Sequence, residues 1–354
     1  MARQGGGLSV GIRIPPFEAA NRLVSHVIES ERLGFDQVWF PDSQLLWRDV
    51  FSVLAIAAAG TERIGLGTAV TNVATRHPSV IASAARTINE IAPGRFSLGL
   101  GAGNSSLGPI GLRPSTQAEI RSAVDMVRTL LDGREWEFGS LRSRLRDPSP
   151  GVPIHLAATG PRNLALAGEI ADGVIVLSGV STRSLTRATA LIAAGAERAG
   201  KSSVPKLTVS AYCHITDDVE RDALRLKPIC AAIKQNGGTE FLRSVGIDID
   251  VPQHVEGVYP DLVHAEDWAA AVAACSQWVT DADAVTFARS FCLFGTADEV
   301  LAGLRRARDA GASGVFLQHV GSYDPPQQLM HDVAEQVLPR LTEIDQPLEV
   351  QPPQ

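Results

Sequence analysis

The sequence predicts an α/β protein of the (β/α)8 TIM-barrel type, with an inserted helical segment near its seventh and eighth strands. Three observations predict it. Short apolar runs alternate with longer segments of helical period along most of the 354 residues. Each run ends in small or polar residues. A phrase marking a helix end and a buried strand start returns at Gly34–Phe40, Ala171–Val176 and Gly311–Leu317. Repeated βα units fit a closed barrel or an open doubly wound sheet; about eight strands, each followed by a helix, favour the barrel. One domain over 1–345 is expected, with 228–285 as an insertion and a Pro/Gln-rich flexible tail at 346–354.

The elements follow in order. Leu8–Ile14 is the first strand, stopped by Pro15-Pro16. Leu23, Val27, Ile28 and Leu33 give the helix Ala19–Leu33 an apolar face, and Gly34 caps it. Asp36–Phe40 is the second strand, running into Pro41-Asp42-Ser43, and a helix covers Val50–Ala59. Ile64–Val70 is the third strand and leads to Thr71-Asn72. The next helix begins at Pro78, whose missing N–H is harmless at a first helical position. Val80, Ile81, Ala84, Ala85, Ile88 and Ile91 recur along it at helical spacing, and Pro93-Gly94 ends it. Phe96–Leu100 is the fourth strand. After a loop through Pro114, Thr116 and Glu119 form a capping box for a helix to Leu131. A loop of about twenty residues, rich in Arg, Ser and Pro, comes next.

Val152–Ala158 is the fifth strand, and Thr159-Gly160-Pro161 starts a helix. Val174–Leu177 is the sixth, ending at Ser178-Gly179 before a helix over Thr182–Ala199. Lys206–Ile215 is the seventh, and Asp217 with Glu220 opens a further helix. The pattern loosens over 228–285, the mark of an inserted excursion. It returns at Phe291. Thr296 and Glu299 form a second capping box for a helix to Ala310, Ser313–His319 is the eighth strand, and a last helix covers Pro326–Leu341.

The net charge of -7 argues against a nucleic-acid footprint. The four cysteines form no C-x-x-C pair, so the reading is plain thiols in a reducing compartment, with no zinc site and no disulfide framework. The opening MARQGGGLSVGIRI has no secretory core, and no apolar run reaches the ~18 residues of a membrane span. A cytoplasmic protein without membrane or nucleic-acid partners is expected. Gly99-Leu100-Gly101-Ala102-Gly103 starts like a dinucleotide fingerprint but fails at Asn104. P-loop, H-E-x-x-H and G-x-S-x-G motifs are missing, which removes support for kinase and hydrolase readings.

Strand ends carry what chemistry remains, because parallel α/β folds place their sites there. Asp42 and Ser43 follow the second strand, Thr71 and Asn72 the third, and Gly101, Gly103 and Asn104 the fourth. Thr159, Gly160 and Pro161 follow the fifth, at a helix N-terminus suited to phosphate, with Arg162 next. Ser178 and Gly179 follow the sixth. The plainer reading is that such residues only turn the chain. Arg76 and His77 have two readings of equal weight: the mouth of the site, or a surface ion pair and a helix-cap neighbour. His155 and His319 lie within strands.

These words together resemble the luciferase-like flavin and deazaflavin oxidoreductases, and within them the coenzyme F420-dependent branch typified by methylenetetrahydromethanopterin reductase. The matching residues are Thr61–Gly67, Val70-Thr71-Asn72, Thr75-Arg76-His77-Pro78, Gly94-Arg95, Gly99–Gly103, Gly160-Pro161 and Leu166–Gly173. The likeness is close over about residues 8–180 and resumes at Phe294-Gly295-Thr296 and the final βα unit; the insertion does not match. The resemblance implies a TIM barrel holding F420, with FMN as the alternative. It implies a non-proline cis peptide at Ala69–Val70 behind the deazaflavin ring. Asp42, Thr71 and Asn72 would surround the ring, and Gly103 and Asn104 would lie near the ring and its side chain. Ala158, Thr159, Gly160 and Pro161 would hold the phosphate, with Ser178 and Gly179 beside it.

The expected activity is hydride transfer to or from a small organic substrate, with Asp42 as the proton-handling residue and a homodimer as the assembly. Relatives that oxidise alcohols or sugar phosphates carry a His where this chain has Ser43, which argues against that use of a base. The insertion is expected to roof the pocket, with Trp47, His254, Tyr259 and Trp268 as wall residues. The rival readings are an FMN-dependent monooxygenase of the same superfamily and a cofactor-free binding or structural barrel.

Overall fold

Buried apolar strands and amphipathic helices alternate from the first described turn onward. The computed structural model describes residues 7–321 and 323–345; the expected tail at 346–354 and most of the Gly-rich start lie outside the described residues. The strand–helix series begins with β1 (Ser9–Arg13), α1 (Ala20–Leu33), β2 (Gln37–Phe40), α2 (Val50–Gly60), β3 (Gly65–Thr68), β4 (Thr71–Asn72), α3 (Pro78–Ile91) and β5 (Phe96–Gly101). After it come α4 (Asn104–Leu107), α5 (Gln117–Leu131), the hairpin β6 (Trp136–Phe138) and β7 (Leu141–Ser143), then β8 (Ile154–Ala157), α6 (Pro161–Ile170), β9 (Gly173–Val176), α7 (Thr182–Arg198) and β10 (Lys206–Ile215). The remainder is α8 (Val219–Asp222), α9 (Lys227–Gln235), α10 (Thr239–Ser244), α11 (Trp268–Cys275), α12 (Asp281–Phe291), β11 (Leu293–Gly295), α13 (Ala297–Asp309), β12 (Ala312–Gln318), α14 (Gln327–Gln336) and α15 (Leu341–Asp345).

The chain divides into two compact units. One takes the chain up to Ser178 with Arg183–Ser210 and Ala310–Phe316. Its parallel strands β1, β2, β3, β5, β8, β9, β10 and β12 follow one another in a closed ring, with β12 between β10 and β1. This is the expected eight-stranded barrel. The repeated phrase in the sequence has a physical basis here. Asp36, just before β2, accepts the Val10 N–H of β1 at 2.8 Å, and Asp172, just before β9, accepts the Ile154 N–H of β8 at 2.9 Å. Ser313, in β12, donates its hydroxyl to the Leu207 carbonyl of β10 at 3.0 Å. Each side chain stitches its strand to the preceding one in the ring.

Inside the ring, the Trp39 indole stacks on Phe316 at 5.5 Å and meets the His155 ring edge-on at 5.6 Å. Bare backbone makes room for these rings: a Cβ on Gly67 would lie 2.5 Å from the indole. Gly99 is needed for a closer approach still, since its Cβ would fall 1.9 Å from the Thr68 carbonyl oxygen.

The other unit comprises Gly179–Thr182, Ala211–Asp309 and the chain from Leu317. Its helices α9 to α12 supply the expected helical insertion. Lys227 is buried within it, held by Asp281 at 2.6 Å and Ser276 at 2.9 Å. All four cysteines are free and buried. Among the described residues, no helix is long and apolar enough to cross a membrane.

Both expected capping boxes form, at Thr116/Glu119 and Thr296/Glu299, and a third occurs at Thr280/Asp283. Other expectations need correction. The twenty-residue loop contains the β6–β7 hairpin, and a short helix, α4, interrupts the loop before Pro114. Asp218, not Asp217, caps α8, accepting the Arg221 N–H. The last helix breaks after Gln336, before Pro339, which has no N–H to continue the ladder. Ile28, Val80 and Ile91, expected on the apolar faces of their helices, are exposed.

Candidate active site

The site grows from the residue that follows β2. Asp42 is 5% exposed. Thr71 Oγ1 donates to Asp42 Oδ2 at 2.6 Å, and the Arg76 guanidinium donates to the same oxygen. Arg76 reaches on to Asp49 Oδ2 at 2.5 Å and lies over the Phe51 ring, 5.3 Å from its centroid. Asp49 in turn caps α2 through the Ser52 N–H at 2.8 Å. Burial pushes the Asp42 carboxyl above its ordinary range, against the pull of Thr71 and Arg76. Burial works against the Arg76 charge too, but its two carboxylates outweigh that and hold the guanidinium ionised. The directions agree physically: Asp42 is the more deeply buried partner and shares its cation with Asp49.

Three serines close the other side. Ser43 Oγ bonds Ser105 Oγ at 2.7 Å and Ser106 Oγ at 3.3 Å, while Ser106 Oγ donates to the Asp42 carbonyl at 2.8 Å. The Ser43 hydroxyl is therefore committed inside the protein. Asn72 is 1% exposed. Its Oδ1 accepts the Ala74 N–H, the Thr75 N–H and the Thr75 hydroxyl at 2.9–3.1 Å. Its buried Nδ2 has no hydrogen-bond partner among the described residues. An unmet buried donor costs about 1–3 kcal/mol.

The Ala69–Val70 peptide is cis, as the resemblance implied. It packs on Trp39, Ile175 and Phe316. Gly103 has φ +87°, and a Cβ there would come within 3.0 Å of the Asn72 Cβ. Asn104, exposed, follows it in α4. Asp42, Ala69 to Asn72 and Gly103 to Ser106 thus form one cluster.

A second group stands at the end of β8. Ala158 is buried, its N–H bonded to the Ile175 carbonyl at 2.9 Å. Thr159 and Pro161 are exposed, and Gly160 occupies the N-cap of α6 with no side chain capping the first turn. A Cβ on Gly160 would meet nothing within 4 Å, leaving open space before that helix start. The Ser178 hydroxyl is a buried oxygen without a partner among the described residues. Gly179, φ +76°, lies against Phe291 in the second unit. No hydrogen bond among the described residues joins the Thr159–Pro161 turn to the Asp42 cluster.

Among the described residues, the donors left over are an unpaired amide, an unpaired hydroxyl and an uncapped helix start facing open space, the last of a kind that accepts phosphate. Among the described residues, no group of three or more His, Cys, Asp or Glu side chains is placed to hold a metal ion. A cavity of about 610 Å³, lined by Val73, Ala74, Pro78, Leu112 and Met126 among others, contains none of the predicted site residues.

The two readings of Arg76-His77 now separate. His77 is the N-cap of α3, accepting the Ser79 N–H at 3.2 Å, while Arg76 belongs to the Asp42 cluster. Ser105, Ser106 and Asp49 are cluster members that sequence reasoning missed. His155 lies in the barrel interior, where burial pulls its imidazole down to about 4 and its Nδ1 has no partner among the described residues. Of the expected wall residues, Tyr259 is exposed, and the Trp268 indole donates to the Arg225 carbonyl at 3.0 Å.

A family profile described as luciferase-like monooxygenase matches residues 1–314. The chain is similar to 5,10-methylenetetrahydromethanopterin reductase of Methanolobus tindarius, 30% identical over 322 residues, covering 87% of this chain and 93% of the relative. It is also similar to F420-dependent glucose-6-phosphate dehydrogenase of Beutenbergia cavernae, 34% identical over 203 residues, covering 52% and 60%. Among solved structures, coenzyme F420-dependent tetrahydromethanopterin reductase from Methanopyrus kandleri superposes with a TM-score of 0.77 at 24% identity, covering 95% of this chain and 100% of that one.

Proposed function

The chain belongs to the luciferase-like monooxygenase family, and from that premise we propose that it is a coenzyme F420-dependent oxidoreductase. It transfers a hydride between the deazaflavin and a small organic substrate, reducing a C=N, C=C or C=O bond or running the reverse reaction. The relative and the solved structure named for F420 support the cofactor. The observation that carries the reading onto this chain is the buried Asn72 amide, unpartnered among the described residues and one residue on from the Thr71 that bonds the buried Asp42 carboxyl.

When bound, the deazaflavin supplies the carbon that gives or takes the hydride. The chain supplies the rest. Asn72 Nδ2 would meet an acceptor of the cofactor, and Gly103, without a side chain, would let the backbone approach it. The first turn of α6, behind Thr159 and Gly160, takes the phosphate, with the Ser178 hydroxyl beside it. Asp42 gives or takes the proton that accompanies hydride transfer, a contribution typically worth 10²–10⁴ in rate. Ser43, tied to Ser105, does not act as a base. We assign substrate choice to the inserted segment 228–285 and the assembly to a homodimer. Ile56, Val80 and Ile91, exposed on adjacent helices, support the latter.

Fluorescence titrations with F420 and FMN test the proposal. Micromolar or tighter F420 binding with weak FMN binding is expected. Tight FMN binding alone would move the protein to the oxygen-using members of the family, and affinity for neither would leave a barrel without this cofactor chemistry.

A further inference from the structure

Among the described residues, Arg76 is the one charged side chain that bonds Asp42, and the way it does so is asymmetric. Both hydrogen bonds to the carboxyl, from Thr71 Oγ1 and from Arg76, fall on Oδ2. Among the described residues, Oδ1 accepts none. Oδ2 therefore has its acceptor capacity spent on two donors, and a proton added to this carboxyl goes to Oδ1. The second hydrogen bond of the guanidinium, to Asp49, stops Arg76 from swinging away, and Phe51 backs its face. A planar fork spanning two carboxylates is geometry that lysine does not reproduce.

We propose that Arg76, braced by Asp49, is a positioning residue that fixes Oδ2 of Asp42 and so makes Oδ1 the oxygen that carries the proton to and from substrate. This rests on the reading of Asp42 given above. The charged groups facing the carboxyl are Arg76 and, one step further, Asp49. Removing each has an opposite effect. Without Arg76, the carboxyl keeps its burial and loses its cation, so its titration moves up. Without the Asp49 charge, Arg76 is shared no longer and a like charge is gone, so the titration moves down.

The test is ¹³C NMR titration of aspartate carboxyls in cofactor-free protein, with the Asp42 signal assigned through D42N. R76M is expected to raise the Asp42 midpoint by about one unit or more, and D49N to lower it. Asparagine is as good a helix cap as aspartate, so D49N leaves α2 intact. Opposite shifts support the proposal; any other pattern overturns it. If R76M does not fold, D49N decides alone: a downward shift supports the proposal and an unmoved midpoint overturns it. The pH profile of kcat/KM for F420-linked turnover separates the two readings. Shifts in the NMR midpoint with unchanged turnover in D42N would keep the positioning role and remove the proton-transfer role.

Discussion

Asp42 and His155 are both buried in the barrel unit, and they are held in opposite ways. Asp42, at the strand ends, has a hydroxyl and a guanidinium on one oxygen and the other oxygen open. His155, in the ring interior, is packed among Trp39 and bare backbone at Gly173, with Nδ1 unpartnered. Burial disfavours the charged form of both, raising the carboxyl and lowering the imidazole. What differs is whether charge has been provided for. Asp42 has a cation beside it, whereas His155 Nδ1 meets no partner among the described residues.

Breaking the comparison at Asp42 should give the largest effect. D42N is expected to lower kcat/KM by about 10²–10⁴ while the melting midpoint stays within a few degrees. A loss below tenfold would place the proton transfer elsewhere. The same substitution should erase one pH dependence of stability. The folded carboxyl binds its proton more tightly than the unfolded one, so stability falls as pH rises through the raised value.

Truncating the packing around His155 comes next. Trp39→Ala is expected to cost about 3–5 kcal/mol in urea unfolding, since the indole contacts Phe316, Ile175 and the Ala69–Val70 segment. A cost under 1 kcal/mol would mean that the ring closes over the space.

His155→Leu sharpens the contrast in sign. The unfolded imidazole takes up a proton near 6.5 and the folded one near 4, so stability is full above about pH 6.5 and falls as pH drops toward 4. That fall amounts to roughly 3 kcal/mol, and the leucine variant should lack it. Equal slopes in variant and wild type, measured by urea unfolding between pH 7 and pH 4, would show that the buried imidazole does not govern the acid response.

The smallest effect belongs to the open donor. N72D keeps the oxygen that holds the Ala74–Thr75 turn and deletes the amide hydrogens. F420 affinity should weaken about 10–100-fold, read by fluorescence titration, with FMN as control. Unchanged affinity would leave the buried amide without a ligand.

Much of this was legible in the sequence. Strand runs, the two predicted capping boxes and the strand-end polar groups all followed from local spacing. The repeated phrase was visible too, although its reason, a side chain reaching the preceding strand, was not. The β6–β7 hairpin escaped because both its strands are largely exposed, which removes the alternation that reveals a strand. Val80 and Ile91 show the converse: helical spacing identified a helix without telling which apolar residues it buries. Arg76 kept two readings because its partners, Asp42 and Asp49, lie 34 and 27 residues away and become neighbours only when the ring closes. The Ser43–Ser105–Ser106 knot was hidden for the same reason.

The aspartate stitches carry a further consequence. Asp36 precedes the second strand of the ring and Asp172 the sixth, so the same fastening recurs half a turn around the barrel. Each half ring owns its clasp. Opening the chain within the exposed turn between β6 and β7 would sever neither, which makes that turn the natural place for new termini in a circular permutant.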